Sequence, residues 1–335
     1  MNKYILFNPG PVNLHPLVRK AAISNDLCHR QEEFTNILIR VKKKILKIAK
    51  KTIDYVSILH GSGTLAVESG IQNFIKGRVL VIVNGDYGNR IVKSLSNRDN
   101  VNLKILSYNF LEIPDVEEIG KELNAYQYNW VCLVHHETTT GILNPINRIC
   151  DVAQKTGTRV FVDAVSSFPV HNINNNVDVI CTNSNKCLES VPGAAIVIWK
   201  KNITVRDDVC DYMKLNMYID KKIPYTPNTN AIMALDQALD LYLNENRPLR
   251  YCNLSKHIRE IGSKYFPLLL DNNYSSVLTS FKIKEDKYDI IYKLAKSNGF
   301  IIYKGKYPGQ FRVANMGYNI NKKNIEDLFD CIRHA

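Results

Sequence analysis

Seven short runs that are apolar almost throughout punctuate the chain between residues 55 and 199: YVSILH, RVLVIVN, LKILSY, WVCLVHH, RVFVDA, VDVICTN and AAIVIW. A strand with one wet face alternates apolar and polar residues. Runs without that alternation need cover on both faces, which is the signature of a largely parallel sheet. Helical patterns over 64–74, 115–125 and 147–155 supply the cover. The expected fold class is therefore α/β, with a mainly parallel seven-stranded sheet sandwiched by helices and ligands bound beyond the carboxyl ends of its strands. After about residue 225 the pattern changes. Long helical stretches over 231–244 and 249–266 precede a strand (SVLTSFKI), a helix (YDIIYKLAKSNGF), two short strands (FIIYKG and QFRVAN) and a closing helix from 322. That arrangement predicts a smaller C-terminal α+β domain.

Composition narrows the function classes. With 45% hydrophobic residues and no low-complexity tract, disorder is excluded. No apolar run approaches the roughly 18 residues of a membrane span, and MNKYILFNPGPV has too short an apolar stretch for a secretory signal. The formal charge of +12 raises nucleic acid or an anionic substrate as partner. The densest basic run, Lys42, Lys43, Lys44, Lys47, Lys50 and Lys51, is interleaved with apolar residues at helical spacing. It predicts an amphipathic helix with a solvated basic face, and no nucleic-acid-binding motif accompanies it. The eight cysteines are scattered without a CxxC pair, which points away from zinc and redox sites and toward a reducing cytoplasm.

Three segments carry chemistry. HGSGT places Gly61, Ser62, Gly63 and Thr64 between a strand and a helix, where backbone amides and hydroxyls can cradle a phosphate. Gly61, Gly63 and Ala66 also satisfy a dinucleotide fingerprint, with Asp86 at the distance of a ribose contact. RVFVDAVSSF then delivers Asp163 at the end of an apolar strand, and NSNKCLESVPG delivers Lys186 after the next one. A lysine and an acid on neighbouring strands, with an anion cradle upstream, suit pyridoxal phosphate: the lysine forms the Schiff base and the acid keeps the ring nitrogen protonated. Lys186 would also move the proton from the substrate carbon. In NGDYGNR, Tyr87 lies in a Gly-flanked turn where its ring can stack on a pyridine, and HHETTTG offers hydroxyls including Thr138. A metal role for His135 and His136 is disfavoured because neighbours on a strand point to opposite faces. Arg312, on the short apolar strand FRVAN, needs an anionic partner: a substrate carboxylate or phosphonate, or a structural acid.

The ordered set NPGPV, GSGTLAVE, NGDYGNR, HHETTTGILNP, VDAVSSF, NSNKCLESVPG, YTPNTN and FRVANMG resembles the fold-type I, class V aminotransferases over residues 5 to 320. Within them it is most similar to the 2-aminoethylphosphonate–pyruvate group. The resemblance implies a transaminase using an amino donor and a keto acid. It also implies a large coenzyme-binding domain over 15–230 and a small domain formed by 1–14 and 231–335. Lys186 then matches the Schiff-base lysine and Asp163 the partner of the ring nitrogen. Ser62, Gly63 and Thr64 match the phosphate loop, and Tyr87 the stacking aromatic. Thr138 falls near the ring oxygen and Asn185 just before the lysine. Thr226 and Thr229 match positions from which a second subunit reaches the phosphate, which implies a homodimer with shared sites. Arg312 matches the arginine that grips the substrate acid, and Gly10 with Pro11 the turn bordering the substrate. Arg30, in CHRQEEF, is a candidate second cation for a phosphonate, or else an ion-pair partner of Glu32 or Glu33. No metal, nucleic acid or membrane is implied.

The chain departs from the group at Asn228 and Asn230, where proline and histidine are expected, and at Ala314 and Pro169, where glycine is. These positions bear on the substrate rather than on the coenzyme. A serine– or alanine–glyoxylate type transaminase is the near alternative, a nicotinamide-dependent oxidoreductase the more distant one, and a nucleic-acid-binding protein the non-enzymatic one.

Overall fold

A computed structural model describes residues 3–335. The chain enters through β1 (Ile5–Phe7), α1 (Pro16–Ala22) and α2 (Glu32–Ile48). It continues through β2 (Asp54–Gly61), α3 (Gly63–Phe74), β3 (Gly77–Val83), α4 (Asp86–Leu95), β4 (Val101–Ser107), α5 (Val116–Ala125) and β5 (Trp130–Val134). A small hairpin, β6 (His136–Glu137) and β7 (Ile142–Leu143), leads into α6 (Ile146–Lys155), β8 (Arg159–Asp163), β9 (Val179–Asn183) and β10 (Gly193–Lys200). The remainder is α7 (Thr229–Leu243), α8 (Arg247–Gly262), β11 (Leu278–Lys282), α9 (Tyr288–Ser297), β12 (Phe300–Lys304), β13 (Gln310–Ala314) and α10 (Lys322–Ile332).

The large sheet has the order β2-β10-β9-β8-β5-β3-β4. All neighbours from β9 to β4 pair in parallel, whereas β10 runs antiparallel to both β9 and β2. Its apolar runs lack alternation for a simple reason. On β3, Val79, Val81 and Val83 enter one core beneath α3 and α4, while Leu80 and Ile82 enter another beneath α2, α5, α6 and α7. Each face of the pleat is thus a separate interior. A dinucleotide-binding fold would place the strand before its glycine fingerprint at the centre of a parallel sheet. Here that strand, β2, is an edge strand bonded antiparallel to β10, so the fingerprint reading is excluded.

β1 pairs in parallel with β12 in a second, four-stranded sheet of order β1-β12-β13-β11, which joins the N-terminal segment to the C-terminal elements. Its core holds Phe7, Phe266, Phe281, Phe311 and Phe329. α7, which follows the YTPNTN segment, packs Ile232, Leu235 and Leu239 into the core of the large sheet. Among the described residues no helix is long and apolar enough to cross a membrane.

The expected solvated basic face on α2 needs correction. Lys43, Lys47 and Lys50 are exposed, but Lys42 and Lys51 are buried. Lys42 Nζ donates to the carbonyls of Tyr218 (2.5 Å) and Asp220 (2.7 Å). Lys51 Nζ donates to Asn175 O at 2.5 Å and pairs with Asp54 at 3.4 Å. Lys44 bridges Asp236 and Asp240 on α7, both at 2.6 Å. Half of the basic run therefore ties elements together, because the long stems of Lys42 and Lys51 reach distant carbonyls and that of Lys44 reaches distant acids.

Candidate active site

The parallel strands β2, β3, β5, β8 and β9 all end at one edge of the sheet, and the chemistry-bearing residues follow those ends. Asp163 is the last residue of β8 and is buried. Its Oδ1 accepts from the Val165 amide at 3.0 Å. Burial pushes its carboxyl above the usual range, opposed by that hydrogen bond and by the nearby charges of Lys186 and Arg90. Lys186 lies in the turn after β9, with Nζ 5.8 Å from the centroid of the Tyr87 ring. Gly10 closes on it from the N-terminal segment. A Cβ there would stand 2.9 Å from Lys186 Cγ and 3.2 Å from Asn185 O, and its φ of +112° favours glycine besides. Gly10, Asn185 and Lys186 are thus brought together.

The segment after β2 is built as an anion cradle. Ser62 caps α3 from extended backbone without spending its hydroxyl on the helix. The amides of Gly63 and Thr64 meet no protein acceptor among the described residues, as expected for a first helical turn. Gly63 is fixed by space: a Cβ would lie 2.7 Å from Val165 Cγ1 and 3.0 Å from Asn183 Nδ2. A cavity of about 370 Å³ opens beside this turn, lined by Gly63, Thr64, Tyr87, Arg90, Asp163 and Val165 among others. Free amides and a hydroxyl at one end and a buried carboxylate at the other match the phosphate and ring nitrogen of pyridoxal phosphate. We predict that Gly63→Ala weakens retention of the coenzyme about 5- to 100-fold, because relief of a contact this close costs roughly 1–3 kcal/mol; dialysis followed by absorbance of the retained coenzyme measures it.

Tyr87 is placed differently from the turn expected for it. Gly85 caps α4, so Tyr87 sits in the first turn of a helix. The cause is Glu137, which the sequence did not single out. Its Oε2 accepts from the Tyr87 amide at 3.0 Å, and its Oε1 from Thr139 Oγ1 at 2.6 Å and the Thr139 amide at 3.2 Å. A buried acid thus meets the positive end of α4. A Cβ on Gly85 would lie 2.3 Å from Glu137 Cγ, so only glycine admits this carboxylate. Arg90, one turn along α4, stacks its guanidinium 4.6 Å from the Tyr87 ring centroid and faces the cavity. The glycines flanking Tyr87 were the one available hint of so close an approach.

Arg312 projects from β13 toward the same region. Its Nη1 donates to Thr138 O at 2.6 Å, and Nε and Nη2 donate to Lys304 O at 3.1 and 2.7 Å. It makes no direct ion pair with an acid among the described residues, and the buried Glu137 acts on it only from beyond contact distance. Burial lowers its pKa, partly offset by the Tyr87 and Tyr303 hydroxyls. Thr138 is buried at the end of the hairpin that bears Glu137. The adjacent histidines diverge as expected of a strand: His135 packs its ring 5.9 Å from that of His171, and His136 Nδ1 faces Ser166 O at 3.3 Å. Burial pushes His136 down to about 3, so its ring is neutral.

Three expected residues stand apart. Arg30 is exposed on the turn before α2, outside the cavity wall, and pairs with neither Glu32 nor Glu33. Thr226 is exposed, and Thr229 begins α7 with its hydroxyl 3.1 Å from Asn230 Oδ1. Neither threonine lines the cavity of the single chain; Lys186 does not line it either, but meets its wall at Tyr87.

Comparison with known proteins agrees with this geometry. A family model described as aminotransferase class-V matches residues 18–261. A 2-aminoethylphosphonate–pyruvate transaminase of Phocaeicola vulgatus is 33% identical over 99% of this chain and 99% of its own length. One from Vibrio cholerae is 31% identical over 100% of this chain and 98% of its own. Among solved structures, a Thermus thermophilus aspartate aminotransferase superposes with a TM-score of 0.89 over 98% of both chains at 23% identity. An alanine–glyoxylate aminotransferase from Nostoc gives 0.88 at 23% identity, covering 100% of this chain and 95% of that one. The two solved structures share the fold, and it is the family match and the end-to-end relatives that make this chain a member of the class-V aminotransferases, enzymes that depend on pyridoxal phosphate.

Proposed function

We propose that the chain transfers the amino group between 2-aminoethylphosphonate and pyruvate, interconverting them with phosphonoacetaldehyde and L-alanine. The observation that carries an acidic substrate is Arg312, a guanidinium held by two carbonyls with no acid in ion-pair contact, and near enough to Tyr87 and the buried Glu137 to feel their charge. The particular substrate is supported by the relatives of that name at 31–33% identity over nearly the whole chain.

Bound here, pyridoxal phosphate supplies a carbonyl that takes up an amino group and a ring that accommodates the electron pair released at the substrate carbon. The chain does the rest. The amides of Gly63 and Thr64, with the hydroxyls of Ser62 and Thr64, would hold the phosphate at the positive end of α3. Asp163 would hold the ring nitrogen and keep a proton on it. Tyr87 would cover the ring, Thr138 and Asn185 would border it, and Gly10 would leave room for substrate. Lys186 Nζ would hold the coenzyme's carbonyl carbon and would serve as the base that moves the substrate-carbon proton. Arg312 orients the acid group by paired donors.

Thr226 and Thr229, apart from the cavity of their own chain, are assigned to the site of a second copy, so the working unit is a homodimer. Eight free cysteines suit a reducing compartment, and a cytoplasmic location is proposed on that ground.

The test is to add 2-aminoethylphosphonate to the holoenzyme and follow loss of the coenzyme's visible band, then its return with pyruvate. Response to alanine and glyoxylate but none to the phosphonate overturns the substrate assignment. Arg312→Gln is expected to raise KM for the acidic substrate by about 10–100-fold, the worth of a charged hydrogen-bonding group at roughly 1.5–3 kcal/mol, as read by steady-state kinetics.

A further inference from the structure

Beyond the cavity, one buried acid links the two halves of the site. Glu189 lies three residues after Lys186, is 3% exposed, and adopts a φ of +55°, a left-handed conformation that costs a side chain of this kind. Its amide donates to Lys186 O at 2.9 Å, closing the turn that presents the lysine. Its Oε1 accepts from Arg250 Nη2 at 2.8 Å, from the Gly317 amide at 3.0 Å and from the Tyr251 hydroxyl. Arg247, also from α8, donates Nη1 to the carbonyls of Cys187 and Leu188, both at 3.1 Å, and lies 3.7 Å from Glu189 Oε2. Gly317 belongs to the turn after β13, the strand that carries Arg312. One carboxylate therefore fastens the lysine turn to α8 and to the end of the arginine strand.

We propose that Glu189 is a positioning residue that holds the Lys186 turn in register with Arg312, so that the lysine amine and the gripped acid group keep a fixed separation. The inference rests on the transaminase reading for its kinetic part only. A bound substrate is anchored at Arg312 while Lys186 must reach its reacting carbon. Loosening the joint displaces the amine without weakening the grip on the acid, which lowers kcat more than it raises KM. A carboxylate is required because one oxygen accepts three donors and both oxygens face arginines. The left-handed backbone is tolerated because those donors fix the side chain.

Glu189→Gln and Tyr251→Phe in the holoenzyme test this, the second removing only a hydroxyl should the first fail to fold. Backbone hydrogen exchange over 184–191 is expected to quicken about tenfold, with β8 unchanged. Turnover per coenzyme-loaded site is expected to fall by about 10²-fold for Glu189→Gln, the penalty of a misplacement near 1 Å, with KM within about threefold of wild type. Unchanged exchange together with unchanged turnover per loaded site in the variant that folds overturns the proposal. Wild-type enzyme inert toward the phosphonate would instead strike the substrate assignment, and the exchange measurement still decides the role of Glu189.

Discussion

Lys186→Ala is expected to retain pyridoxal phosphate and to lose on the order of 10⁴-fold or more in kcat, because it removes both the covalent attachment and the proton carrier. Retention follows from the geometry. The anion cradle at Ser62, Gly63 and Thr64 and the carboxylate of Asp163 belong to other strand ends, and neither depends on the lysine side chain. Coenzyme absorbance after gel filtration and alanine formation in the presence of 2-aminoethylphosphonate and pyruvate measure the two halves of the expectation. Turnover within tenfold of wild type would remove Lys186 from the chemistry. Loss of folding is not expected, since the side chain is only half-buried and the turn is held by backbone bonds, including Glu189 N to Lys186 O at 2.9 Å.

Asp163→Asn should cost about 10²–10³-fold in kcat, the usual worth of a preorganised electrostatic partner aimed at developing charge. An amide of the same shape can still accept from the Val165 amide, but it cannot balance a protonated ring nitrogen. The same substitution carries a stability sign. Burial raises the Asp163 pKa in the folded chain, so below its unfolded value the group is neutral in both states and imposes no penalty. As pH rises through the raised folded value the charge penalty becomes complete, and it persists at neutral pH. Asparagine removes it, so the melting temperature of the coenzyme-free protein at pH 7 is expected to equal or exceed that of wild type while activity falls. Loss of stability paralleling loss of activity would show that Asp163 serves packing instead.

The candidate site divides by the range of the interactions that define each residue. Asp163 and Lys186 were legible because each stands at the end of an apolar strand, and strand ends at one sheet edge necessarily approach one another. Ser62, Gly63 and Thr64 were legible because an anion cradle is a local strand-to-helix turn. Tyr87 was recognised, but its helix was not, because the cap that starts α4 depends on Glu137, some fifty residues away. Arg90, Glu137 and Glu189 carry nothing in their local sequence to separate them from surface residues; only their burial and their distant partners do. Lys42, Lys44 and Lys51 misled for the same reason.

The sequence by itself determined the seven core strands and pointed to a lysine–aspartate–glycine core as the candidate site, since these follow from apolar periodicity and local turn chemistry. Only the tertiary structure decided that β2 lies at the edge beside an antiparallel β10, that Arg312 spends its donors on two carbonyls, and which buried charges pair across the fold. Strand order and charge pairing are settled by which surfaces meet in space, and those meetings join residues that the chain keeps tens to hundreds of positions apart.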